Sequence, residues 1–256
     1  MKQSTFIVVL TAVAFVTGFV IFEFLIGSPA NFKDGAAREI PINLMGQIYS
    51  GGLLVAALIA LSIMDFAIII ERTISLKKSS GKGSTDKFLK NILDLTKSDK
   101  IEDAIAQCKA QKGAVANIIG AALVRYSEIK DNERMDDEKK YAEVQRAVEE
   151  ASMLETPLLE KNLIALSTIA SIATMVGLLG TTIGMIRAFK ALAQAGAPDA
   201  LALATGISEA LVNTAGGLFV AILGIVAYNV FINNVDNFTY MVDEASFNVM
   251  QILRSK

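Results

Sequence analysis

The sequence contains no histidine. Imidazole is therefore excluded from any proton relay, triad or metal site, and the commonest general base is missing. A single cysteine, Cys108, rules out an intrachain disulfide. The net charge of −2 gives no electrostatic basis for holding nucleic acid. No phosphate-cradling loop, metal-ligand cluster or nucleophile–base pair can be traced, so no cofactor, no metal and no enzymatic activity are expected. No stretch alternates apolar and polar residues over a useful strand length, and the reading is all-α.

What the chain has in abundance is apolar length. Hydrophobic residues make up 53% of the sequence, somewhat above the usual share for soluble domains. Charged residues are nearly absent from four stretches: Thr5–Ile26, Gly51–Ile70, Leu163–Ile186 and Ile207–Phe231. Each reaches the roughly 20 residues that a helix needs to cross a bilayer core. Backbone groups in lipid must be satisfied internally, so these segments are expected to be transmembrane helices. The first could be mistaken for a signal peptide, since Met1-Lys2-Gln3 offers a charged start. Its apolar run is too long for one and no A-x-A-like cleavage site follows, so it is read as a retained anchor. Arg72, Lys77, Lys78 and Lys82 follow the second span, whereas the loop before it offers only Lys33 and Arg38. The positive-inside rule then puts residues after Ile70 in the cytoplasm, and four spans put both termini there. Arg187 and Lys190, at the outer end of the third span, fit this less well.

Residues 79–160 are polar and are expected to form a helical cytoplasmic region. Ser79 to Ser84 read as a linker. Phe88, Ile92 and Leu95 share one helical face; Ile101, Ala104, Ile105 and Cys108 repeat the pattern up to Gly113. Val115, Ile118, Ile119, Ala122 and Leu123 make a third short helix. Asp131 to Lys140 form a charged break, and from Tyr141 a helical pattern runs to the third span, with Pro157 a candidate kink.

The third span carries a stripe at heptad spacing: Ser167, Ser171, Thr174, Leu178, Thr181 and Met185. Small hydroxylic residues can serve close helix packing, or they can line a weakly polar pore. The fourth span has a small-residue face of Ala210, Thr214, Gly217, Ala221 and Gly224, with Glu209 and Asn213 on an adjacent side. Glu209 is either a functional intramembrane charge or a group that reaches the interface. Asp65 lies less than two turns from Arg72 and reads as a structural intramembrane charge, ion-paired or snorkelling, in preference to a transport role. No carboxylate lies near the middle of the third or fourth span, so the chain alone looks like half of a proton path.

At these residues a family resemblance emerges. Residues 177–186, GLLGTTIGMI, resemble the G-L-x-G-T-V-x-G-[IM] signature of the MotA/TolQ/ExbB proton-channel family. Residues 206–215, GISEALVNTA, resemble its G-I-[AS]-E-A-L-x-x-T-A signature, continued by GLFVA at 217–221 and YNVF at 228–231. The segment from Glu71 to Lys78 is similar to the E-R-x-x-x-L-[KR] that leaves the family's first common span. The ExbB branch is the one resembled most closely. Two departures stand out: a further span precedes the usual three, and Asn213 and Thr182 stand where small or apolar residues are more usual.

The resemblance implies a division into residues 1–50 (additional span and periplasmic loop), 51–78 (first family span), 79–160 (cytoplasmic region) and 161–256 (core pair of spans with a cytoplasmic tail). It implies an inner-membrane homopentamer around a dimer of single-span ExbD-like subunits, which bring the titratable carboxylate. Proton flow would then energise a TonB-like protein that opens outer-membrane receptors. Pore roles carry over onto Thr181, Glu209 and Thr214, with Thr174, Ser171 and Asn213 beside them. A TolQ-like subunit acting through TolA, or a membrane scaffold without an ion path, are the alternatives.

Overall fold

A computed structural model describes residues 3–193 and 199–254 of the chain. The charged start at Met1-Lys2 and the last two residues of the tail lie outside the described residues. In chain order the helices are α1 (Gln3–Val20), α2 (Leu44–Tyr49), α3 (Leu53–Ser79), α4 (Thr85–Lys97), α5 (Ile101–Gln111), α6 (Ala114–Ile129), α7 (Asp137–Glu160), α8 (Leu163–Leu192) and α9 (Ala200–Arg254). A π-helical turn, Ile21–Ile26, extends α1. Among the described residues there is no strand, only one isolated bridge between Phe32 and Pro41. Four helical stretches are long and apolar enough to span a membrane, and the chain is an all-α, multi-pass membrane protein.

Several elements run further than their apolar windows. α3 continues nine residues past Ile70, to Ser79, and α9 continues past Phe231 to Arg254, so the described tail is helix. Lipid length decides where a helix must be apolar, not where it must stop. Pro157 does not end α7; the break comes at Lys161–Asn162, where Asn162 adopts a left-handed backbone with φ 62°. The loop before α3 is more structured than its composition suggested. It holds α2, capped by the Asn43 side chain accepting from the Gly46 N–H at 2.9 Å.

The chain divides into two compact units. The first comprises Met1–Ile70 with Asn162–Asn229; the second comprises Glu71–Lys161 with Val230–Lys256.

The first unit holds α1, α2 and the apolar parts of α3, α8 and α9. α1 lies directly on α3: a Cβ at Gly18 would stand 2.9 Å from the Ala56 carbonyl oxygen and the Ala60 nitrogen. Beside it Phe22, Val55 and Ala56 form a small core with Ile48, Tyr49, Ile59 and Val212 packed against it. α8 buries Leu166, Ile169, Ala173, Gly177, Gly180 and Gly184, successive steps of three and four along one face. Small residues there bring α8 and α9 into backbone contact, as membrane helices do without a hydrophobic drive between them. A Cβ at Gly184 would meet the Ala210 nitrogen and the Gly206 oxygen at 2.6 Å, and one at Gly217 the Ala173 oxygen at 2.6 Å. Val16, Phe24, Ile164, Met175, Leu211 and Ile222 are exposed, as lipid-facing side chains should be.

The second unit is built like a soluble helical domain. Phe88 and Ile92 of α4, the buried face of α5, and Val115, Ile118, Ile119, Ala122 and Leu123 of α6 are in its core, as the periodicity predicts. Leu95, however, is only half-buried, and Thr96 takes the interior place by returning its hydroxyl to the Ile92 carbonyl at 2.7 Å. Val144 and the apolar face of late α9, including Val242, Val249 and Leu253, are buried as well. Cys108 lies under Gly120, and burial pushes its thiol up to about 12. Arg72 is fully buried; it pairs with Glu71 at 2.6 Å and donates to the carbonyls of Leu158 and Leu159, near the C-terminal end of α7.

Candidate proton path and intramembrane carboxyl groups

The hydroxyl stripe of α8 is formed as a continuous series of backward hydrogen bonds. Ser167 donates to the Ile164 carbonyl, Ser171 to Ser167, Thr174 to Ala170 and Thr181 to Leu178, at 2.6–3.0 Å. Each hydroxyl spends its proton on its own helix and keeps acceptor capacity on the outer side. Ser171 is exposed, and Ser167, Thr174 and Thr181 are half-buried. Thr214 of α9 approaches α8 at the Gly177 carbonyl, 3.5 Å away, and Gly177 is one turn from Thr181. The two threonines therefore come from neighbouring turns of adjacent helices. Thr182, the departure from the family pattern, is exposed and bonds the Leu179 carbonyl at 2.7 Å.

Glu209 lies near the start of α3. Its side chain is 7% exposed, and Arg187 Nη1 stands 2.6 and 2.7 Å from its two oxygens. Glu209, to which the resemblance carries over a pore role, is thus ion-paired in the chain: an arginine 22 residues earlier stands against both of its oxygens. This also accounts for Arg187 at the end of α8, which counted against the inferred orientation. The signal was present in sequence, since a helical hairpin brings the end of α8 opposite the start of α9. Nothing in local spacing, however, joined the two residues.

Asn213, expected on a pore wall, is 0% exposed. Its Nδ2 donates to the Gly51 carbonyl at 2.7 Å and the Glu209 carbonyl at 2.9 Å. It occupies the notch left by Gly180, where a Cβ would stand 2.2 Å from Asn213 Cβ. Here the side chain ties three segments of the chain together. Ser50 and Ser208 add a hydrogen bond of 3.2 Å at the same end.

A second polar cluster fixes the additional span. Arg38 Nη1 donates to Glu23 at 2.6 Å and to the Tyr49 hydroxyl at 2.7 Å. Tyr49 stacks on Phe22 with ring centroids 4.7 Å apart. Asn31 donates to the carbonyls of Leu25 and Ile26, where the π-turn leaves its backbone acceptors open. Glu23, the one charged residue between Thr5 and Ile26, is thereby partnered.

Asp65 is different. It is 1% exposed, so it does not snorkel, and neither carboxylate oxygen has a hydrogen-bond partner among the described residues. The ion pair expected from sequence is not formed: Arg72 commits its guanidinium to Glu71 and to two backbone carbonyls. Among the described residues no group of three or more His, Cys, Asp or Glu side chains stands together to hold a metal.

The family profile described as "MotA/TolQ/ExbB proton channel family" matches residues 98–244. The chain is similar to a Tol-Pal system protein TolQ of Pseudomonas aeruginosa, 29% identical over 70% of this chain and 77% of that protein. It is similar to the TolQ of Haemophilus influenzae, 32% identical over 69% and 77%. It is also similar to a biopolymer transport protein ExbB of Neisseria meningitidis, 29% identical over 69% and 79%.

Proposed function

The chain belongs to the MotA/TolQ/ExbB proton channel family, and on that premise we propose that it is a stator subunit driven by the proton-motive force. With a single-span, ExbD-like partner it would energise TonB-dependent transport across an outer membrane. The observation that carries this reading is the placement of Thr181 and Thr214 on adjoining turns of a tightly seated α8–α9 pair. Their hydroxyl oxygens can accept from water or from a partner's carboxylic acid without a buried charge of their own. Ser171 and Thr174 continue that wall, while Glu209, paired with Arg187, holds the mouth end in register. Asn213 supports this from inside.

Five copies would surround two partner helices in an inner membrane, with both termini cytoplasmic and residues 79–160 forming the cytoplasmic part. A TolQ-like role through TolA is the second reading, favoured by equal identity to the Pseudomonas TolQ and the Neisseria ExbB.

The test is made in cells lacking the native chain, with complex abundance measured alongside. Energised uptake restored by the wild type and lost in Thr181→Val and Thr214→Val supports the reading. Wild-type uptake in both variants removes the hydroxyls from the mechanism. Restored envelope integrity without restored uptake selects the TolQ-like role. A copy number other than five in native mass spectrometry sinks the pentamer.

A further inference from the structure

Asp65 stands on the seam where three helices of the first unit meet. Its Oδ2 lies 3.1 Å from the place a Cβ would occupy on Gly224 of α9. The Leu166 carbonyl oxygen and the Ala170 Cβ of α8 lie 3.1 and 3.2 Å from that same point. Gly224 thus leaves a notch that the carboxyl group fills. A carboxylate removed from water without a donor costs several kcal/mol in its ionised form. A bound proton removes the charge and supplies an O–H donor.

Among the described residues no hydrogen-bond donor reaches either Asp65 oxygen to do the same. The notch over Gly224 that the Asp65 carboxyl group enters is bordered by the Leu166 carbonyl and the Ala170 methyl of α8, neither ionisable. Between Leu163 and Arg187, α8 has no ionisable side chain. On α9 the one titratable group between Glu209 and Asp236 is Tyr228, a turn beyond Gly224 and half-buried. On α3 the nearest charges along the chain, Glu71 and Arg72, pair with each other. Glu209 is 15 residues from Gly224 on α9, about 22 Å along a helix.

We propose that Asp65 is a proton-binding site inside the subunit, occupied at rest, whose release of the proton is coupled to the parting of α3 from Gly224. Ionisation and opening of the seam are then one event, because the bare carboxylate needs water or a cation that the closed notch does not admit. The site is separate from the threonine wall and does not depend on the function proposed above. Its titration makes the packing of three membrane helices sensitive to pH.

The experiment uses the full chain in lipid nanodiscs. Infrared spectroscopy at neutral pH in H2O and D2O should show the carbonyl stretch of a protonated carboxyl group. Asp65→Asn should remove that band. A spectrum without it, or one unchanged by Asp65→Asn, overturns the proposal. A second measurement is the melting temperature from a pH of about 4, where an aspartate free in water titrates, up to alkaline pH. The folded chain holds a proton that the unfolded chain gives up, so wild-type stability should fall as pH rises. Asp65→Asn should flatten that fall, and parallel curves overturn the proposal. If Asp65→Asn does not accumulate, Asp65→Leu is used. Failure of both neutral variants would make the charge itself necessary and would equally overturn it.

Discussion

Two buried carboxyl groups sit on the same membrane bundle under opposite conditions. Where α3 begins, Glu209 is met by Arg187, its helix is held by Asn213, and Ser50 bonds Ser208. Near Gly224 and the start of α8, Asp65 meets a glycine notch and, among the described residues, no hydrogen-bond donor. The first arrangement fixes geometry through paired charge and satisfied backbone. The second leaves one ionisable group whose charge the packing cannot accommodate. A spanning bundle can therefore be rigid at one end and titratable at the other, with no change in helix count or length.

The largest expected effect comes from placing the same methyl group at each end. Gly180→Ala drives its Cβ to 2.2 Å from Asn213 Cβ, a clash deep between α8 and α9, and should cost about 3 kcal/mol or more. Gly224→Ala meets its neighbours at 3.1–3.2 Å and should cost about 1 kcal/mol, a shift of tenths of an ångström sufficing. Melting temperatures of the two variants in nanodiscs check this; equal losses would erase the distinction between the ends.

Charge removal should sort the ends next. Arg187→Gln leaves Glu209 buried without its cation. Because Arg187 is itself 63% exposed, the loss is about 1–3 kcal/mol rather than the full cost of an orphaned buried ion. Adding Glu209→Gln should restore most of it, since the orphaned charge then disappears. A thermal double-mutant cycle reads the coupling, and additive losses would mean that the pair contributes nothing.

Asn213→Ala should cost about 1–2 kcal/mol by leaving the Gly51 carbonyl without its donor. Thr181→Val should change stability by no more than about 0.5 kcal/mol, because that hydroxyl bonds only its own helix at Leu178. Lost uptake with unchanged melting then separates the proposed path from packing.

The smallest effect belongs to the second unit. Cys108 is 4% exposed, and burial pushes its thiol up to about 12. It should therefore resist maleimide at neutral pH until the unit unfolds. Prompt labelling of the native chain would show that α5 and α6 open locally.

Helix class and span number were legible in sequence because both depend on local quantities. Apolar length decides whether a segment can cross a bilayer, and a 3.6-residue period decides which face is buried. Ile101, Ala104, Ile105 and Cys108 needed no partner to be named before their common face was evident, and the structure buries all four. The heptad stripe from Ser167 to Thr181 was equally plain. Helix ends were less so, since α3 and α9 continue beyond the lipid-length signal.

Partnership is what the tertiary structure decided. Asp65 and Arg72 stand seven residues apart, a spacing that invites an ion pair, yet Arg72 turns to Glu71 and to the end of α7. Glu209 and Arg187 stand 22 residues apart across a hairpin and form the pair instead. Asn213 interacts with Gly51, 162 residues away. The cost of a buried polar group depends on the few ångströms around it, and distant segments supply those neighbours. Sequence alone therefore determined that this chain spans a membrane as helices and which residues could bear charge there; only the packed bundle decided which of those charges are paired.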